Sequence, residues 1–76
     1  MSENNRVIEF QPRGLRSADA AKYLGVSQNT LKDWRWRGVG PSYRIIQGKP
    51  NARGTVLYTV EDLDEYIDSL QKVVIQ

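Results

Sequence analysis

The chain has 76 residues, enough for one domain with a small core, and contains neither cysteine nor histidine. Those absences exclude a disulfide framework, thiolate or imidazole zinc sites, and histidine-based nucleophilic or acid–base catalysis. The net charge of +2 hides a segregation: residues 13–54 hold nine Lys and Arg against Asp19 and Asp33, a balance of +7, while residues 55–76 balance at −4. A polyanion would meet the middle of this chain and avoid its last third. No apolar run exceeds three residues, as in Val73-Val74-Ile75, so nothing has the length of a signal-peptide core or a membrane span. The composition reads as that of a soluble, cytoplasmic protein.

Residues 1–14, "MSENNRVIEFQPRG", are polar apart from Met1, Val7, Ile8 and Phe10 and close on a Pro/Gly break. They predict a loose arm with a short strand at Arg6–Phe10. In "LRSADAAKYLG", Ser17 suits an N-cap and Asp19 suits the first turn, where the helix dipole favours negative charge. A helix is expected from Ala18 to Leu24, with Ala20, Ala21 and Leu24 on one face and Gly25 at its end. Ser27 then caps a second helix, Gln28 to about Arg37, stopped by Gly38 with Pro41 just beyond. Two short helices joined by a Gly-containing turn form the helix-turn-helix pattern.

The period then changes. Tyr43–Gln47 and Thr55–Tyr58 are rich in β-branched and aromatic residues and flank a long loop, Gly48 to Gly54, which predicts a hairpin. Thr59 caps "VEDLDEYIDSL", and Asp62 three residues on gives a start like a capping box. Val60, Leu63, Ile67 and Leu70 form an amphipathic stripe on this last helix. Its carboxylates, Glu61, Asp62, Asp64, Glu65 and Asp68, read as a solvated face rather than a catalytic group. Gly48-Lys49 is followed by Pro50, so it is no phosphate-binding loop, and no nucleophile–base pair is present.

Two tryptophans, Trp34 and Trp36, stand two positions apart, which on a helix places them about 200° apart. Trp34 forms an i, i+3 apolar pair with Leu31 and is the expected core residue. Trp36 shares the far side with Asn29, Lys32, Asp33 and Arg37, polar side chains that are costly to bury. Two readings are open for it. In the favoured one Gly38 turns the chain back so that Trp36 lies under the hairpin beside Tyr43; in the other its ring meets DNA backbone or sugar, or a partner protein.

The segments "SADAAKYLGVSQNTLKDWRWRGVGPSYR" and "GTVLYTVEDLDEYI" resemble the small winged-helix DNA-binding proteins of the excisionase and MerR-like group, from Leu15 to Leu70. The resemblance implies an α+β winged helix-turn-helix: residues 1–14 an arm, 15–70 the DNA-binding domain, 71–76 a tail. Trp36 departs from the pattern, where a polar or charged residue is more usual, and the wing tip is long.

In such folds the second helix enters the major groove, N-terminal end first. Here its early exposed residues are Gln28, Asn29, Lys32 and Asp33. Asn and Gln pair with adenine, Lys with guanine, and Asp accepts from cytosine N4; Asp33 could equally serve only to orient Arg37 at i+4. Ser27 is the cap, and the helix N-terminus it opens could also receive a phosphate. Thr30 would touch backbone or simply pack. Arg16, Arg35 and Arg37 are expected phosphate contacts, although Arg35 points near the core side and must emerge at the rim. On the wing, Arg44, Lys49 and Arg53 could follow the backbone or reach into the minor groove.

The resemblance further implies an architectural factor of excisionase type, a recombination directionality factor of a phage or mobile element. Such proteins bind double-stranded DNA side by side in repeated copies, bend it and help an integrase assemble, without a cofactor or metal. "QKVVIQ" is then a candidate contact to integrase or to a neighbouring copy, or else a frayed end. A small transcriptional regulator and the DNA-recognition module of a phage terminase small subunit are the alternatives. A purely protein-binding winged helix fits the +7 segment poorly.

Overall fold

A computed structural model describes residues 12–75, so the strand expected at Arg6–Phe10 lies outside the described residues. Three helices, α1 (Ser17–Leu24), α2 (Gln28–Arg37) and α3 (Val60–Ser69), accompany a two-stranded antiparallel hairpin, β1 (Arg44–Ile46) and β2 (Thr55–Leu57), that lies between α2 and α3 in the chain. This is the expected winged helix-turn-helix. In the hairpin Arg44 pairs with Leu57, Ile45 with Val56 and Ile46 with Thr55. No helix among the described residues is long and apolar enough to cross a membrane.

The first helix begins one residue earlier than its sequence suggests. Arg16, not Ser17, holds the N-cap position, in an extended conformation and without a side-chain capping bond. The cause is tertiary. Leu15 exchanges two backbone hydrogen bonds with Tyr58, at 2.8 and 2.9 Å, which keeps the chain extended up to Arg16. Ser17 is thereby the first helical residue, and its hydroxyl is released for another partner. At the far end Gly25 adopts φ 78°, and the N–H groups of Gly25 and Val26 close on Ala21 O at 2.9 and 3.0 Å. Ser27 follows as the cap of α2, its Oγ accepting from Thr30 N–H at 3.0 Å.

The core is small and drawn from every helix: Ala20 and Ala21 of α1, Leu31 of α2, Leu63 of α3, and Tyr58 just after β2. Leu15, Leu24, Val26, Trp34 and Val56 pack around it. α1 packs on both α2 and α3, and its two alanines keep those helices close.

The buried face of α3 is turned from the expected stripe. Leu63 is buried, but Val60, Ile67 and Leu70 are exposed. The inward neighbour of Leu63 is Tyr66, whose ring lies 5.5 Å from that of Trp34 at 50°. Tyr66 stands about 60° to one side of Leu63, with Val60 and Ile67 at about 40–60° on the other. Packing on the Trp34 ring thus pulls the helix toward Tyr66. Leu70 is already past the helix, in extended conformation. Thr59 caps α3 as expected, Oγ1 accepting from Asp62 N–H at 3.1 Å. The carboxylate of Asp62, instead of reaching back to complete a box, accepts from Arg44 Nη1 at 2.9 Å and ties β1 to α3.

A second tie joins α1 to α3: Tyr23 Oη donates to Asp64 Oδ1 at 2.5 Å. That bond, with a smaller contribution from burial and from the carboxylate's charge, raises the Tyr23 pKa above its ordinary value. Only the protonated phenol donates, so the tie is present below the ordinary tyrosine value and is lost as pH rises through the raised one. Tyr23 should therefore ionise at higher pH than a free tyrosine, and Asp64→Asn should bring its titration back down. Identical tyrosinate absorbance curves for the two proteins would contradict the tie.

Gly40 is required where it stands. It has φ 90°, and a Cβ there would lie 2.9 Å from Trp34 Cε3. Gly40→Ala should cost about 1–3 kcal/mol through backbone strain and overpacking, read as a lower Tm. An unchanged Tm would show that the segment yields freely.

Candidate nucleic-acid interface

α2 carries few apolar residues, and the structure sorts its ten positions sharply. Leu31 is fully buried, Thr30, Trp34 and Arg35 are half-buried, and Gln28, Asn29, Lys32, Asp33, Trp36 and Arg37 are exposed. Trp34 is the core tryptophan, packed between the core and Tyr66. Trp36 is 88% exposed, which overturns its expected place under the hairpin. The chain leaving α2 takes the other side. Gly38 (φ 74°) ends the helix, Val39 N–H closes on Trp34 O at 2.9 Å, Gly40 lies against the Trp34 ring, and Pro41 is buried. The hairpin thus departs by the Trp34 face, and Tyr43 packs on Tyr58, ring centroids 5.9 Å apart, rather than on Trp36.

Arg35 has an inward role that its sequence position only hinted at. It is half-buried and borders the grooves beside α2, so it does reach the rim. Its Nη1 donates inward, to Tyr58 Oη at 2.9 Å and to Ser17 Oγ at 3.1 Å. This explains two other findings: the released Ser17 hydroxyl accepts from Arg35, and the fully buried Tyr58 has a partner for its phenol. Tyr58 and Ser17 were not evident as functional from sequence. The signal available was the place of Arg35 on the helix, about 40° from Leu31, where a charge needs a buried partner.

The remaining positions form two groups. A groove bordered by Ser17, Ser27, Gln28, Asn29, Lys32 and Arg35 continues past Arg16 and Ala18 to Thr55 and Val56. It brings the start of α2, the start of α1 and the base of β2 onto one surface. At its edge Ser27 Oγ and Thr30 Oγ1 lie 2.8 Å apart, so the Thr30 hydroxyl shares a hydrogen bond with the cap. Of the two readings of Asp33, the structure shows the pairing one: Asp33 Oδ2 accepts from Arg37 Nε at 2.9 Å.

The wing forms the second group. Arg44 is held by Asp62 on α3, so part of its charge is already answered within the protein. Lys49 and Arg53 stand exposed at the tip. The path of the long tip is set by Gln47, whose Nε2 donates to Lys49 O at 2.9 Å and also to Ala52 O, with Asn51 at φ 64° between them. A glutamine closing a loop of its own strand with its side-chain amide leaves no periodic trace in the sequence.

Because Arg35 serves the fold, its loss should be felt without DNA. Arg35→Met should lower stability by about 1–3 kcal/mol, leaving the Tyr58 hydroxyl buried without a donor. Tyr58→Phe should cost less in that background than in the wild-type chain, as partners in one network are non-additive. Strict additivity in denaturant unfolding would contradict the bond.

No curated protein matches the chain. One family model, described as a helix-turn-helix domain, matches residues 15–71, a span that takes in all three helices and both strands. The arrangement of a capped second helix, held from beneath by Arg35 and exposing its polar face, is thus placed in a lineage as well as a geometry: the chain belongs to the helix-turn-helix domain family.

Proposed function

We propose that this protein is a sequence-specific, architectural DNA-binding protein of excisionase type, a recombination directionality factor that assists integrase-mediated excision of a phage or mobile element. Its helix-turn-helix membership makes duplex DNA the partner that the fold implies. The observation that carries the reading is the bare face of α2, where Asn29, Lys32, Asp33 and Trp36 lie exposed in the most basic part of the chain. The excisionase assignment is supported by the run "AAKYLGVSQNTL", the following aromatic and "RG", "GPSYR", and the wing leading into a closing helix.

In this reading α2 enters the major groove. Gln28, Asn29 and Lys32 reach base edges, while Arg16, Arg37 and the outer edge of Arg35 meet phosphates, Arg37 being steadied by Asp33. Ser27 and Thr30 serve mainly to open the helix N-terminus toward the DNA. Lys49 and Arg53 at the wing tip follow the backbone or enter the minor groove, and Arg44 sets the wing against α3. Residues 15–70 are the DNA-binding domain; most of the expected arm, residues 1–14, lies outside the described residues. Residues 71–76, with Val73, Val74 and Ile75 exposed, form a tail for integrase or a neighbouring copy. The protein binds and shapes DNA in the host cytoplasm and catalyses nothing itself.

Binding to an attachment-site duplex and to a random duplex, titrated against salt, tests this directly. The affinity should fall steeply with salt as counterions are released. Lys49→Ala should weaken all duplexes and reduce the slope by about one unit, whereas Asn29→Ala should change sequence preference. A flat slope would sink the DNA reading. Normal excision with altered transcription, after deletion of the gene from its element, would replace the excision role by a regulatory one.

A further inference from the structure

The exposed indole of Trp36 is the feature that the binding scheme above leaves without a role. Trp36 is 88% exposed, whereas the chain's other tryptophan, Trp34, is packed against the core. Leaving so large an apolar ring in water is unfavourable for a single small domain, unless something apolar meets it. Its neighbours narrow the choice. Asn29, Lys32, Asp33 and Trp36 fall at i, i+3, i+4 and i+7, within an arc of about 100°. Together with Arg35 they border one shallow depression on the helix. This is the spacing with which a recognition helix presents side chains to base edges. Trp36 therefore belongs to the stripe itself, and not to the wing junction.

A tryptophan placed there cannot read a base by the hydrogen-bond code in the way Asn or Lys does, since it offers one donor and no acceptor. The major groove contains one strongly apolar feature, the C5-methyl of thymine. The helix rise puts Trp36 about 10.5 Å beyond Asn29, some three base-pair steps at about 3.4 Å each. Asp33, which borders the same depression, has its Oδ2 paired with Arg37, which answers part of its charge.

We infer that Trp36 is a specificity residue that reads a thymine methyl in the major groove, within about three base pairs of the position read by Asn29. The inference rests on the DNA reading above and adds to it a particular atom on the DNA.

The test separates the two. A site is selected from a random duplex library with the full chain, and each thymine in it is replaced singly by deoxyuridine, which removes only the C5-methyl. At one or two adjacent thymines the wild-type affinity should fall about fourfold, the equivalent of one buried methyl-sized group. Trp36→Ala should bind the parent duplex more weakly and be indifferent to the same replacement. Because the ring is exposed, this variant should keep the wild-type circular dichroism and Tm.

If wild-type protein binds every deoxyuridine duplex like its parent, or Trp36→Ala shows the same loss at the same thymine, the inference is overturned while the DNA reading stands. It is overturned equally if the selected site holds no thymine in that span. If Trp36→Ala matches wild type on single-site duplexes and loses only cooperative binding to repeated sites, the ring serves a neighbouring copy instead. Failure to enrich any duplex removes the DNA reading and the inference together.

Discussion

Arg35 sits on the inward shoulder of α2, and its Nη1 donates to both Ser17 Oγ of α1 and Tyr58 Oη at the end of the wing's second strand. One guanidinium thereby fastens three elements. Tyr58 is itself fully buried and exchanges two backbone hydrogen bonds with Leu15, so the same point also anchors the segment entering α1. A buried phenol needs a partner, and a half-buried guanidinium needs acceptors; each answers the other. In a domain whose fully buried side chains are few, a satisfied polar joint of this kind fixes orientation more sharply than further apolar contacts would.

The orientation it fixes is the rotation of α2 about its own axis. With Leu31 in the core and Arg35 bonded beneath, a turn of the helix in either direction would break those bonds or expose Leu31. The face carrying Asn29, Lys32, Asp33 and Trp36 is then committed to solvent, even though it leaves an indole bare. α2 is too short and too polar to be stable alone. It is held by its Ser27 cap, its Gly38 terminus and this inward side, and the outward side is left free for a ligand. The second pair of ties, Arg44 to Asp62 and Tyr23 to Asp64, draws two of the acidic residues of α3 into ties with β1 and α1. The acidic helix is thus joined by side-chain bonds to both the wing and α1.

Much of this was legible in the chain because it is local. Ser27 and Thr59 as caps, Gly25 and Gly38 as terminators, and the hairpin with its long tip follow from side-chain chemistry within a few residues. The start of α1 was not, since it is set by Leu15 pairing with Tyr58, 43 positions away. The inward face of α3 was displaced toward Tyr66 by a ring on another helix, which a one-helix periodicity cannot register. The same limit governs the site. The division of α2 into Leu31 and Trp34 against Asn29, Lys32 and Trp36 could be read from its 100° steps. The inward bond of Arg35 and the exit of the hairpin by the Trp34 side could not, because both depend on Tyr58 and Gly40 meeting α2 in three dimensions.

The two tryptophans that divide α2 also report on what it meets. In a proton–nitrogen correlation spectrum each contributes one indole N–H signal, and single Trp→Phe variants assign them. If the outward face of α2 meets DNA, titration with duplex should move the Trp36 indole signal and leave that of Trp34 in place. Movement of Trp34 alone, or no movement of Trp36 once the duplex is saturating, would contradict the assignment of this face to nucleic acid.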